Sequence, residues 1–163
     1  MRGFDLIWLV HDPYANRALA RKYPVRFVSL KELLSKAHLL VLTAALTDET
    51  NGILGQRNLT ALPDGAAVIN IARGGLIDLN ALRKQVRSGR LRCALDVTDP
   101  VEPLPVNDPL RTMSGAIITP HIAGSGRHVR QDIAGVVLDD LEKFFKGNKV
   151  ANRVTIPMLE RMT

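Results

Sequence analysis

Three stretches of the sequence each set a polar, chemically useful side chain in or just beyond an apolar run. In "VINIARGGLID" (68–78) the run stops at Arg73, and Gly74 and Gly75 follow it. Two glycines permit a sharp turn, so the guanidinium is presented at a strand's carboxyl end, where its fork can hold a carboxylate through two parallel bonds. In "IITPHIAGS" (117–125) Pro120 keeps Thr119 extended and stiffens the exit, Gly124 lets the backbone approach a ligand, and His121 stands at the strand's end. Between the two, "DPVEPLPVNDPL" (99–110) carries Glu102. A carboxylate beside an imidazole favours the protonated ring and makes it a usable general acid. Each residue also has a plain reading: a surface arginine at a tight turn, a solvated loop glutamate, and a structural histidine among isoleucines.

A fourth candidate is Asp12 in "LIWLVHDPYAN" (6–16). An acid that closes a strand of a dinucleotide-binding fold accepts the ribose hydroxyls of an adenine nucleotide and repels a 2′-phosphate, which favours NAD over NADP. An Asp-Pro turn explains the same letters. In such folds the partner of the acid is a glycine-rich phosphate loop about twenty residues earlier, whereas here eleven residues precede Asp12.

The elements that must position these groups alternate. Aliphatic runs at 6–10, 25–28, 38–43, 66–71, 91–97 and 115–120 are separated by segments of helical period. Continuous apolar runs divided by helices predict strands buried on both faces, hence a parallel sheet in an α/β fold. Ser29 followed by Glu32 has the pattern of a capping box, which satisfies two free N–H groups at once. Asp78 is a plausible N-cap for a helix with Leu79, Leu82 and Val86 on one face and Gly89 as a left-handed stop. A long helix over 127–146 places Val129, Ile133, Val136, Val137, Leu141 and Phe144 in one stripe, which we expect to be core. The proline-rich stretch 99–110 reads as a surface loop after a strand. In open α/β sheets ligands bind outside the carboxyl ends of the strands, where Arg73, Glu102 and His121 all fall.

With 163 residues, 46% hydrophobic and 23% charged, the chain suits one packed domain rather than a disordered or fibrous one. The net charge of +6 draws on a cluster of Arg83, Lys84, Arg87, Arg90 and Arg92. Such a run is usually the wet face of a helix, and aromatics at 4% leave little for bases to stack on, so nucleic-acid binding is the least favoured function. The single cysteine, Cys93, reads as a small core residue. The amino-terminal apolar run is five residues long, too short for a signal core or a membrane span, and a cytoplasmic location is the default expectation.

Taken in order and spacing, "INIARGGLID", "ALDVTDPVEPLP" and "ITPHIAGS" resemble the signatures of the D-isomer-specific 2-hydroxyacid dehydrogenases, with supporting likeness in "VHDPY" and "LTAALTDETNGILG". The likeness covers nearly the whole chain but only part of that family's architecture. It implies a Rossmann-like, doubly wound parallel sheet in which residues 1–163 form a partial dinucleotide-binding domain, without the family's first strand, its GxGxxG loop or its substrate-binding domain. "MRGFD" would be the tail of the missing first helix. Loss of a central strand would either split the sheet or force a new pairing between the runs at 6–10 and 38–43.

By the same resemblance Arg73 matches the arginine that grips the substrate carboxylate, Glu102 the glutamate that supports the histidine, and His121 the acid/base. Cofactor contacts would fall at Asp12, Pro13, Thr43, Ala44, Ile71, Ala72, Asp96 and Gly124, with Asp96 near the nicotinamide carboxamide. The implied reaction is hydride transfer between NAD and a small 2-hydroxy or 2-oxo acid in a homodimer. Two departures stand out. Glu102 arrives one residue later than the family's glutamate, as if by a loop insertion, and Thr43 and Ala45 stand where histidine and proline are common. Without a phosphate loop the isolated chain is expected to bind NAD poorly and to be inactive. The competing reading is a non-catalytic, nucleotide-dependent binding or scaffold protein of the same fold; joint retention of Arg73, Glu102 and His121 favours the enzyme.

Overall fold

A computed structural model describes residues 6–15, 21, 23–159 and 162; the expected helix tail in "MRGFD" lies outside them. Among the described residues six strands, all parallel to their neighbours, form two sheets. Strand β1 (Trp8–Val10) pairs with β2 (Val25–Phe27), and β3 (Leu39–Leu42), β4 (Ala67–Asn70), β5 (Arg92–Leu95) and β6 (Ala116–Ile118) form the second sheet in that order. The sheet is therefore split between β1 and β3, the first of the two outcomes expected. Each strand is shorter than its apolar run.

The connecting helices are α1 (Leu30–Lys36), α2 (Gln56–Thr60) and α3 (Leu79–Arg87), followed after β6 by α4 (Arg127–Phe145) and a short α5 (Ile156–Leu159). Their ends follow sequence chemistry. The Asp78 side chain accepts from the Ala81 N–H at 3.0 Å, and Gly89 takes a φ of 73° at the stop of α3. Ser29 caps α1 by accepting from the Glu32 N–H at 3.1 Å. The capping box is only half formed: the Glu32 carboxylate bonds Arg26 and Lys36, two cations within reach that outbid the backbone.

One cluster of buried side chains joins the sheet to these helices: Leu40, Val68, Cys93 and Leu95 from the strands meet Leu34, Leu59, Leu82 and Val86. Cys93 is core as expected, and burial pushes its thiol up to about 11, so it is inert at neutral pH. The opposite face of the sheet differs. The row Val41, Ile69, Ala94 and Ile117 runs across it in register, and its outer members are 43% and 67% exposed.

Two expectations need correction. The α4 stripe is not core: Val129, Ile133, Val136, Val137, Leu141 and Phe144 are 41–66% exposed, because no described element packs extensively on that helix. Nor is the 99–110 loop wholly superficial. Leu104 and Leu110 enter the core, and Asp108 is buried in an ion pair with Arg83 while accepting from the Leu110 N–H at 2.9 Å. Burial pushes the Asp108 carboxyl up, but the Arg83 side chain, the Leu110 N–H and the Arg111 charge together hold it below the usual carboxylate range. The basic cluster is partly consumed in the same way, since Arg90 donates to the carbonyls of Leu59 and Leu62 and to Asp64 and Gln85.

Candidate functional site

Arg73, Glu102 and His121 lie just beyond the carboxyl ends of β4, β5 and β6, three adjacent parallel strands that share one rim. After β4 the chain enters a single 3₁₀ turn, Gly74–Leu76, with Arg73 extended immediately before it. The Asn70 side chain closes this exit from below: its amide donates to the Arg73 carbonyl at 2.8 Å, and its oxygen accepts from the Ala72 N–H at 3.1 Å. Asn70 is 1% exposed. The Arg73 guanidinium is itself exposed and donates to the Ala72 carbonyl at 2.8 Å.

Gly74 seats this turn against the exit of β5. A Cβ at that position would lie 2.2 Å from the Thr98 carbonyl carbon and 2.6 Å from the Asp99 nitrogen, so only glycine allows the approach. Thr98 in turn donates its N–H to the Glu102 carboxylate at 3.3 Å and its hydroxyl to the Val101 carbonyl at 2.7 Å. The other carboxylate oxygen of Glu102 meets His121 Nδ1. Glu102 and His121 are thus brought into direct contact, the imidazole side chain 53% exposed, while on the Arg73 side it is the next residue, Gly74, that abuts the Thr98 backbone. The loop after β5 returns the Glu102 carboxylate to the histidine.

His121 adopts a φ of 53°, the left-handed region that a side chain such as histidine enters only when held there. Asp96 does the holding. Its carbonyl accepts the His121 N–H at 2.9 Å, and its carboxylate accepts from Thr119 Oγ1 at 2.5 Å and from the N–H groups of Ile122 and Ala123 at 2.9 Å each. Burial pushes the Asp96 carboxyl up, but these three hydrogen bonds, with the nearby His121, hold it below the usual carboxylate range. A small cleft of about 90 Å³ beneath the loop is lined by Asp96, Thr98, Glu102 and Thr119.

The sites marked for cofactor contact lie at the ends of β1 and β3 and of the same three strands. Asp12 and Pro13 are exposed after β1, and Asp12 Oδ1 accepts the Tyr14 N–H at 2.9 Å, so the Asp-Pro turn is formed. Thr43 and Ala44 are exposed after β3, Ile71 is 48% exposed after β4 with Ala72 half-buried beside it, and an added Cβ at Gly124 would meet only open space. Sequence reasoning passed over Asn70 and Thr98. The signal for Asn70 was present, a lone amide inside the apolar run "AVINIA"; Thr98 carried none.

The family model described as the D-isomer specific 2-hydroxyacid dehydrogenase, NAD binding domain, matches residues 1–123. The chain belongs to this family. It is 32% identical over 160 residues to D-3-phosphoglycerate dehydrogenase of Archaeoglobus fulgidus, covering 98% of this chain and 30% of that protein. It is 36% identical over 143 residues to hydroxypyruvate reductase of Blautia hydrogenotrophica, covering 87% of this chain and 44% of that protein. A D-isomer specific 2-hydroxyacid dehydrogenase from Xanthobacter autotrophicus, solved in complex with NADPH and MES, superposes with a TM-score of 0.73 at 33% identity, over 84% of this chain and 45% of that one. The chain thus spans less than half the length of these relatives, and its fold is the Rossmann-like α/β fold of the family's NAD-binding domain.

Proposed function

We propose that this chain is the NAD-binding portion of an oxidoreductase that interconverts a 2-hydroxy acid and a 2-oxo acid, and that Arg73, Glu102 and His121 are its reacting-end residues. The observation that carries the reading is the Glu102–His121 contact at the ends of adjacent strands, with the Arg73 turn seated on the Thr98 backbone that Glu102 also binds. Arg73 would pair with the substrate carboxylate and fix its orientation. His121 would give its proton to the 2-oxo oxygen in reduction and take it back from the hydroxyl in oxidation, while Glu102 stabilises the protonated ring. NAD, when bound, supplies the nicotinamide carbon that gives or accepts the hydride.

The residues present fit the nucleoside and nicotinamide ends of that cofactor. Asp12 is exposed at a strand end for the ribose, Thr43, Ala44, Ile71 and Ala72 border the rim, and Gly124 leaves room for close approach. The 163 residues contain no GxGxxG, so this polypeptide alone should bind NAD weakly and should not turn over. We further propose a homodimer, which light scattering would read directly.

A two-part experiment tests the reading. Calorimetric titration of the 163-residue chain with NAD should give weak binding at most. An Archaeoglobus fulgidus dehydrogenase whose matched region is replaced by this chain should oxidise D-3-phosphoglycerate with NAD, and His121→Ala should lower kcat/KM by about 10²- to 10⁴-fold. Turnover indifferent to His121→Ala would refute the assignment.

A further inference from the structure

We infer that Asn70 is a positioning residue for Arg73 and that it sets the carboxylate affinity of the site without touching the ligand. Asn70 is a fully buried amide at the last position of β4, with Val68 and Leu95 buried in the same sheet. An amide in such a place is costly unless all its groups are matched. Here the side chain spends its oxygen on the Ala72 N–H and its nitrogen on the Arg73 carbonyl, the two main-chain groups flanking the Cα atoms that lead into the arginine. Its own carbonyl accepts the Asp96 N–H at 2.9 Å, and the Asp96 carbonyl accepts the His121 N–H at 2.9 Å. One short ladder therefore runs from the arginine clamp through Asn70 and Asp96 to the histidine.

Three restraints act on the Arg73 backbone, and they are of different kinds: the Leu76 N–H donates to its carbonyl at 3.3 Å within the 3₁₀ turn, and Gly74 and Asn70 supply the other two. Gly74 allows the turn to press on Thr98, which limits how far it can move toward β5. Asn70 closes the turn by hydrogen bonds, which fixes the φ of −142° and ψ of 142° at Arg73. Without the amide, the exposed guanidinium has no other side chain of the described residues holding its main chain in place. The long arginine side chain would then sweep a larger volume, and a two-point grip on a carboxylate would pay that freedom back on binding.

The inference rests on the dehydrogenase reading only for what Arg73 binds, so the test reads backbone and ligand separately. In the ¹³C,¹⁵N-labelled full chain, the Arg73 N–H to Hα coupling should report one extended φ, and a through-hydrogen-bond coupling should connect the Asn70 side-chain amide to the Arg73 carbonyl. Titration with oxamate should shift the Arg73 Nε–H signal. In Asn70→Ala the Arg73 coupling should fall to an averaged value and oxamate affinity should drop about tenfold, while the amide signals of β5 and α3 stay where they were. Arg73 signals and oxamate affinity unchanged in Asn70→Ala would overturn the inference. If that variant fails to fold, the through-bond coupling in the unmodified chain decides, and its absence would overturn the inference equally. Absence of any Arg73 response to oxamate in the unmodified chain, with the backbone readouts as expected, would count against the carboxylate role of Arg73 and leave the clamp established.

Discussion

Helices α3 and α4 carry the same kind of apolar stripe and meet opposite fates. In α3, Leu82 and Val86 are buried against the four-stranded sheet, and both ends are stopped by local chemistry, Asp78 at one and Gly89 at the other. In α4, Ile133 and Phe144 are 58% and 66% exposed, and the amino-terminal cap is Gly126 with no side-chain bond. Periodicity specifies that a helix forms and which side is apolar; it does not specify the partner. The family match ends at residue 123, just before α4, so α3 lies inside the matched span and α4 outside it.

This contrast can be sharpened by substitution. Leu82→Ala should be the most damaging change, about 2–5 kcal/mol, seen as a lower denaturant midpoint. A smaller loss, about 1–3 kcal/mol, is expected for Asp96→Ala, which strands three donors that now share its carboxylate. The Asp96 effect carries a pH signature. Its folded-state value lies below the ordinary 3.8, so its contribution is present above that pH and is lost as pH falls through the lower folded value. The stability difference between wild type and Asp96→Asn should therefore narrow on acidification below the ordinary carboxylate range. Asp78→Ala, removing the α3 cap, should cost about 1 kcal/mol. Ile133→Glu on α4 should change the stability of this chain by less than about 0.5 kcal/mol. A loss at Ile133 comparable to that at Leu82 would erase the distinction between the two helices.

How far the sequence could be read follows the same division. The parallel α/β architecture, the caps at Ser29 and Asp78, the stop at Gly89 and the placement of Arg73, Glu102 and His121 at strand ends were legible, because each depends on local chemistry or on a period set by local geometry. The break between the two sheets was one of the two outcomes expected from the family resemblance. The exposure of α4 was not legible, since burial depends on surfaces remote in sequence. The clamps formed by Asn70 and Asp96 were only half visible. Their polarity inside apolar runs could be seen, but their partners are main-chain groups whose positions exist only in the folded chain. The Glu32 carboxylate went to Arg26 and Lys36 for a related reason, since the competing cations are brought close by the fold.

The central claim is that Glu102 works through His121 in one redox site. The direct measurement is a double-mutant cycle on kcat/KM in the Archaeoglobus fulgidus dehydrogenase carrying this chain, using Glu102→Gln, His121→Ala and the pair. If the two act as a unit, the double variant should be no slower than His121→Ala alone. Losses that simply multiply would mean that the carboxylate and the imidazole act independently, and the site described here would not be a single catalytic device.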